Sequence, residues 1–333
     1  MTEPEREQTS AEQPFIHEPV MLAEVLDAFA PIPAGVVVDA TVGGGGHARA
    51  ILQAHDDVSL VGLDRDDDAL AAAAEALAGF GDRVMLRRSS FDRVMAECHA
   101  LGVEAITAFL FDLGVSSPQL DRGARGFSYR SDGPLDMRMD RRETLRADTV
   151  VNDYDERSLA EVLRRYGDER FASRIARAIV AARPVTTTVE LSEIVRHAIP
   201  AATRRSGGHP AKRTFQAIRI EVNRELDVLP RALDDAIDLL QPAGRGAVLS
   251  YHSGEDRVVK RVFADAATGG CVCPPRLPCQ CGARARVKLL WRGGHTPSAN
   301  ESTRNARAQS ARLRAVERLD TPLSTAARAA GAS

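Results

Sequence analysis

The sequence predicts an α/β fold, a Rossmann-like and mainly parallel sheet carrying an inserted helical domain. Three observations carry this expectation. Apolar runs of strand length alternate with helix-compatible runs from residue 36 to residue 113, the pattern of βαβ units. Four consecutive glycines, residues 43–46, follow the first apolar run, where an open α/β sheet receives a nucleotide-like ligand. The alternation then stops, and residues 158–230 read as helices before strand-like runs return.

The elements follow in order. A short helix is predicted over 20–29, ahead of Pro31-Ile-Pro33. Residues 36–41 read as a strand buried on both faces, because the run is apolar without alternation. A helix over 48–54 leads to a second strand, 59–64, which ends in an acid. An Ala-rich helix (67–77), a strand (84–87), a helix (91–101) and a fourth apolar strand (106–113) complete the series. Residues 116–146 form a polar loop rich in Arg, Gly and Asp. Ser158-Leu-Ala-Glu161 and Thr187-Thr-Val-Glu190 both fit the capping box, in which a hydroxyl and a carboxylate satisfy the first N–H groups of a helix. From Phe215 onward, apolar positions 218, 222, 226, 229, 233, 237 and 240 share one helical face, with a break or kink expected near Pro230. Strands are expected again at 247–251, 287–291 and 311–316. The domains expected are a disordered tail (1–14), a discontinuous Rossmann-like domain (15–118 and 226–319), an inserted substrate-recognition domain (119–225) and a disordered tail (320–333).

Composition bounds the function. A hydrophobic share of 44% with 27% charged residues is ordinary for a globular chain, and a net charge of −2 makes no global case for nucleic acid. The charge is uneven: residues 284–318 carry nine Lys and Arg against two Glu, which hints at a polyanionic partner or a solvated helix face. No apolar run approaches the ~18–20 residues of a membrane span. The acidic, polar N-terminus does not read as a signal peptide, so a cytoplasmic location with no membrane partner is expected.

The glycine turn admits two cofactors. Gly43-x-Gly45-x-x-Ala48, with Asp64 about 20 residues on, fits a loose dinucleotide pattern. Asp39 argues otherwise: an acid just before the loop repels a diphosphate and suits a ligand bearing an ammonium and a sulfonium. Asp112, followed by Leu-Gly-Val-Ser-Ser-Pro118, closes the fourth strand where amino-methyltransferases keep a polar-Pro motif beside the methyl group. Together these favour S-adenosyl-L-methionine (SAM) over NAD. The plainer reading, four glycines used only for a tight turn, costs conformational entropy that a turn does not require.

Longer motifs then sharpen the picture. Asp39-Ala-Thr-Val-Gly-Gly-Gly-Gly-His47, Gly62-Leu-Asp-Arg-Asp66, Phe111-Asp-Leu-Gly-Val-Ser-Ser-Pro-Gln-Leu-Asp121, the stretch 125–140, His209-Pro-Ala-Lys-Arg-Thr-Phe-Gln-Ala-Ile-Arg219 and Ser250-Tyr-His-Ser-Gly-Glu-Asp-Arg-Val-Val-Lys260 resemble the bacterial ribosomal RNA small subunit methyltransferase H family. With His17-Glu-Pro-Val-Met-Leu22 and Tyr166-Gly-Asp-Glu-Arg-Phe-Ala172 they cover most of residues 17–262. The resemblance implies a class I methyltransferase sheet and SAM-dependent methylation of the exocyclic N4 of a cytidine in the decoding region of 16S rRNA. It implies the small ribosomal subunit as partner and SAM contacts at Gly45, Gly46, His47, Asp64, Phe91, Asp112 and Gln119, with Asp39 beside them. Two positions depart from the family pattern: Gly44 stands where relatives often carry a larger or basic residue, and Gly254 where they often carry an apolar one. A methyltransferase for another nucleic-acid or protein amine, or a SAM- and RNA-binding assembly factor without turnover, are the competing readings. A homodimer is compatible with the chain.

Asp112 is the candidate catalytic residue, either accepting a hydrogen bond from the amine or binding SAM. Asp136 and His252 are weaker candidates. Arg122, Arg125 and Arg130 with Phe127 and Tyr129 mix cations with stacking surfaces, as an unstacked base and its phosphates would need. Lys212, Arg213 and Arg219 are expected to hold the RNA backbone. Cys271-x-Cys273 and Cys279-x-Cys281 flank a Pro-rich stretch, and four thiolates could hold a structural zinc, although the spacing is tighter than the common Cys-x-x-Cys.

Overall fold

The computed structural model describes residues 19–201, 209–274, 279–305 and 307–324. Helix α1 (Leu22–Phe29) precedes β1 (Gly35–Asp39), α2 (Gly46–Ala54), β2 (Val58–Asp64), α3 (Asp67–Leu77), β3 (Val84–Arg88), α4 (Val94–Ala100) and β4 (Ile106–Asp112). A helical region follows: α5 (Ser117–Asp121), α6 (Ala147–Asn152), α7 (Glu156–Gly167), α8 (Ala172–Ala181), α9 (Thr188–Ala198), α10 (Lys212–Asn223) and α11 (Glu225–Leu239). The chain returns through β5 (Leu240–Ser250), α12 (Ser253–Thr268), β6 (Arg284–Leu289), α13 (Ala299–Arg304) and β7 (Arg312–Ser324). Among the described residues, seven strands make one sheet in the order β3-β2-β1-β4-β5-β7-β6. Pairing is parallel from β3 to β5, and β7 runs antiparallel to both β5 and β6. This is the Rossmann-like class I sheet that the sequence predicts.

Strand β4 shows why an apolar run without alternation becomes a central strand. Ala108 and Leu110 point into the core shared with α1 and α2, while Phe109 and Phe111 point into the core under α11 and α12. Both faces are covered, so every residue but the last is buried. Close packing also fixes a glycine: a Cβ on Gly246 would lie 2.0 Å from the Phe109 ring. The helical region has a core of its own, running from Phe127 to Val222, and Leu226 packs against both this core and the one under the sheet.

Four local expectations are corrected. Helix α7 is capped by Asp155, whose carboxylate accepts from the N–H groups of Arg157 and Ser158; Ser158 lies inside the helix and its hydroxyl donates to the same Asp155. Thr187 does cap α9, accepting from the Glu190 N–H, but Glu190 turns its carboxylate to Thr186. The break in the long helical run falls at Arg224, which takes φ +52° between α10 and α11, and Pro230 sits within α11. Residues 320–324 belong to β7 and are not part of a disordered tail: Ser324 pairs with Arg284 and Leu323 with Ala285. Residues 1–18 and 325–333 lie outside the described residues, as does the His17 of the first family motif.

Candidate active site

The chain runs outward from β1 to β2 to β3 and then crosses back to lay β4 on the other side of β1. Such a switch in direction opens a crevice at the carboxyl ends of the strands. Asp39, Asp64 and Asp112 are the last residues of β1, β2 and β4, so the topology delivers three carboxyl groups to one crevice. Thr41 stitches its floor, accepting a hydrogen bond from the Asp112 N–H at 2.6 Å. A cavity of about 550 Å³ lies there, inside the ~300–1,000 Å³ range of small-molecule sites. It is lined by Gly43, Gly44, Gly46, His47, Asp64, Phe91, Asp112 and Gln119 among others.

The glycine turn is built by backbone geometry. Gly43 and Gly45 have φ of +51° and +79°, left-handed values that glycine adopts at no steric cost, and Gly45 is the residue from which α2 starts. The Gly43 N–H donates to Asp64 Oδ2 at 3.0 Å, so a donor that a phosphate would need is already turned to a carboxylate. Gly44 has open space where a side chain would be, and it faces the cavity. Gly45 does not line the cavity; it packs against Ala73 and Leu77 beneath the turn.

Burial sets the electrostatics. Asp39 lies beneath the cavity floor, with its Oδ1 accepting from the Thr41 N–H. Burial, reinforced by Asp112 and Asp64, pushes its carboxyl up to about 8 against the opposing Thr41 hydrogen bond. Asp64 is raised as well, chiefly by burial, although the Asp66 and Gly43 N–H groups hold its two oxygens. Burial thus favours the neutral form of Asp39, and a cation nearby would favour its charged form. Asp112 is held on two sides. Tyr251 donates to Oδ1 at 2.6 Å, and His47 Nδ1 lies 3.5 Å from Oδ2 while its Nε2 faces the Val20 carbonyl at 2.9 Å. Burial and the neighbouring Asp112 push the Tyr251 hydroxyl well above its ordinary range, so it remains a donor.

The remaining expected residues divide sharply. Phe91 lines the cavity and meets Phe111 edge-on, with ring centroids 5.7 Å apart. Gln119 also lines it, yet its amide bridges two backbone segments, accepting from Ser116 N–H and donating to Asp66. Arg125 is only 3% exposed and lies 2.8 Å from Asp66 and 3.5 Å from Asp68, so it anchors the loop to the sheet and is not a surface contact for phosphate. Phe127 is buried in the helical core and offers no stacking face. Tyr129 is half-buried and already stacks on His209, centroids 4.4 Å apart. Asp136 has both oxygens forked by Arg138, whose pull outweighs burial and holds the carboxyl below its ordinary range. His252 is the N-cap of α12, with Nδ1 accepting from the Gly254 and Glu255 N–H groups. The glycines of this loop serve packing too: a Cβ on Gly133 would lie 2.0 Å from the Gly123 carbonyl oxygen. Lys212 and Arg213 are exposed at the start of α10, although Arg213 donates to the Asp168 carbonyl.

Sequence reasoning missed one wall of the cavity and one partner of Asp112. Arg219 pairs bidentately with Glu225 at 2.9 and 3.0 Å, and Glu255, buried to 2% exposure, lies 3.9 Å from the same guanidinium. All three line the cavity, so Arg219 belongs to this pocket and not to an exposed RNA-backbone surface. Tyr251 owes its place to register: Leu249 pairs with Asp112 across β4 and β5, which brings the end of β5 beside that carboxylate. The four cysteines lie elsewhere and share no lining residue with the cavity.

Several known proteins are similar to this chain. Residues 14–319 match the MraW methylase family. A protein of Symbiobacterium thermophilum called ribosomal RNA small subunit methyltransferase H is 51% identical over 310 residues, covering 92% of this chain and 97% of that one. Proteins of the same name from Acidothermus cellulolyticus and Thermobifida fusca are 52% and 50% identical, covering 91% and 92% of this chain and 94% of each relative. Among solved structures, an rRNA methylase from Streptococcus thermophilus aligns with 89% of this chain and 95% of its own at 13% identity and a TM-score of 0.40. A family match over nearly the whole length, joined to a glycine turn and three strand-end carboxyls around one cavity, places the chain in the MraW methylase family.

Proposed function

We propose that this chain uses S-adenosylmethionine to methylate the exocyclic N4 of a cytidine in the decoding region of 16S rRNA, within the small ribosomal subunit or its precursor. One observation carries the reading: three strand-end carboxyls, two of them raised by burial, gather around a cavity of cofactor size. Such a pocket favours a cationic ligand, and the Gly43 N–H is already spent on Asp64. When bound, SAM supplies a methyl group on a positively charged sulfur.

The chain's own residues then do the work of binding and positioning. Each Asp64 oxygen takes one backbone N–H and keeps a further lone pair for a hydroxyl. Phe91 presents an apolar ring beside it. The N4 lone pair of cytosine is delocalised into the ring, so the amine is a weak nucleophile. A hydrogen bond from N4 to the Asp112 carboxylate concentrates electron density on that nitrogen, and the same carboxylate is placed to receive the proton the product loses. Tyr251 fixes the Asp112 carboxylate through Oδ1. Holding acceptor and donor in line can supply ~7–11 kcal/mol of the barrier in favourable cases. The cytosine must leave its stack to reach the pocket, and Lys212 and Arg213 are the exposed cations we assign to its backbone. An rRNA substrate makes the cytoplasm its place of work.

The test uses purified protein, labelled SAM and undermethylated small subunits or free 16S rRNA, followed by nucleoside mapping. Label in N4-methylcytidine from the decoding region is expected. Label confined to another nucleoside, or to protein, overturns the assignment.

A further inference from the structure

We propose that Cys271, Cys273, Cys279 and Cys281 bind a structural zinc ion that clasps the loop between α12 and β6. The four sulfurs lie within 4.8 Å of one another. The Sγ–Sγ distances are 3.5 Å for Cys271–Cys279, 4.0 Å for Cys273–Cys279, 3.4 Å for Cys279–Cys281 and 3.6 Å for Cys281–Cys271. Zinc bonds of ~2.3 Å in a tetrahedron require sulfur–sulfur edges of about 3.8 Å. The spacings bracket that value, and all are far longer than the ~2.05 Å of a disulfide. The tight Cys-x-Cys pairs are therefore no obstacle, because each pair closes only one edge of the tetrahedron.

The surroundings point the same way. The loop is pinched at its neck: Gly269 ends α12 with φ +66°, and a Cβ there would lie 2.4 Å from the Arg284 backbone that opens β6. Beyond the neck, none of the described residues from 270 to 283 is buried, and Val272 is 87% exposed. Among its described residues no apolar core holds the loop together, yet its two arms bring four sulfurs to one point. A segment with so little to bury needs a staple. Backbone donors also turn to the sulfurs: the Gln280 N–H points at Cys273 Sγ at 3.4 Å, and the Val272 and Ala283 N–H groups at Cys281. Four protein ligands leave no open position for substrate, so the ion is structural. Its load is mechanical, since β6 is the outer strand of the sheet and enters directly from this loop.

The full chain should be purified under reducing conditions, without chelator, from cells grown with added zinc. Elemental analysis should find about one zinc per chain, because the affinity of such sites makes binding and folding one event. Protein grown in cobalt should show thiolate charge-transfer bands and the visible bands of a tetrahedral ion. Cys279→Ser should lose most of the metal and speed hydrogen exchange in β6, with SAM affinity unchanged. Should that variant fail to fold, a mercurial titration of the native protein reads the same site: zinc should leave in step with modification of the four thiols. Substoichiometric metal with four freely reactive thiols, or disulfides found by mass spectrometry, would overturn the proposal. Retained SAM binding separates its failure from a failure of the proposed methyltransferase reading.

Discussion

Two charged regions lie near the carboxyl ends of the strands, and they treat charge in opposite ways. On the sheet side, Asp39, Asp64 and Asp112 are driven together by strand topology, and burial raises the first two. In the loop of residues 122–142, four arginines pair with carboxylates instead: Arg122 and Arg125 with Asp68 and Asp66, Arg138 with Asp136, Arg142 with Asp140. The Arg142 fork pulls Asp140 down to about 2. The strand-end acids are held by backbone N–H groups, the Tyr251 hydroxyl and the His47 ring, whereas the loop spends guanidinium groups on carboxylates of its own and of residues 66–68. Burial-raised carboxyls in a cavity point to ligand, and guanidinium–carboxylate pairs to structure.

The largest test of this contrast is Asp112→Asn. Asparagine keeps the shape and can still accept from Tyr251, but it cannot take a proton. Turnover should fall by ~10²–10⁴-fold, the usual worth of a positioned acid or base. Single-turnover assays on protein of unchanged melting temperature read this directly. A loss below about threefold would make Asp112 a cofactor ligand only.

On the loop side, Arg125→Ala should act through stability. It strands the buried Asp66 and part of Asp68, and breaking one side of a buried pair costs about 3–5 kcal/mol. Urea unfolding should show the drop, with RNA affinity per folded molecule retained. Weakened RNA binding at full stability would return Arg125 to the substrate surface and break the contrast.

These two regions also explain what was legible in the sequence. The strand-end acids could be read because an apolar run fixes where a strand stops, and the stop fixes where the side chain goes. Tyr251 escaped because its place depends on the β4–β5 register, which no local pattern encodes. Arg125 and Phe127 were misread because a loop arginine or phenylalanine looks the same whether it faces RNA or its own backbone. Arg224 escaped for a related reason: left-handed helix ends are signalled by Gly or Asn, and an arginine there carries no flag, while Pro230 carries a false one. Residues 320–324 looked disordered by composition, but two antiparallel neighbourhoods, β5 and then β6, hold β7 in the sheet.

The pH response of Asp39 sharpens the acidic side. Its carboxyl is raised from 3.8 to about 8 by burial, with Asp112 and Asp64 adding to the effect. The folded state therefore binds a proton that the unfolded chain releases near pH 4. This contribution to stability is complete below that pH and is lost as pH rises through about 8. Asp39→Asn lacks the term, so its melting temperature should gain on the native chain between pH 5 and pH 9. A cation in the pocket should draw off the same proton. Calorimetry of SAM binding near neutral pH, in buffers of differing ionisation enthalpy, should show proton release by the native chain and little by the variant. A pH-independent melting difference would remove Asp39 from the linkage.

The smallest effect should come from a cation that the fold does not consume. Lys212 is exposed at the first turn of α10, and its removal costs the protein no buried contact. If it meets an RNA phosphate, Lys212→Ala should weaken binding by a few-fold, about equally for cognate and unrelated RNA, and lower the salt slope by about one. Stability should stay within about 0.5 kcal/mol, the range of an ordinary surface change. Arg125→Ala and Lys212→Ala thus form a crossed pair, one changing folding without the salt slope and the other the salt slope without folding. An unchanged salt slope for Lys212→Ala would mean that the RNA enters over another face, and the assignment of the start of α10 to the phosphate backbone would fall.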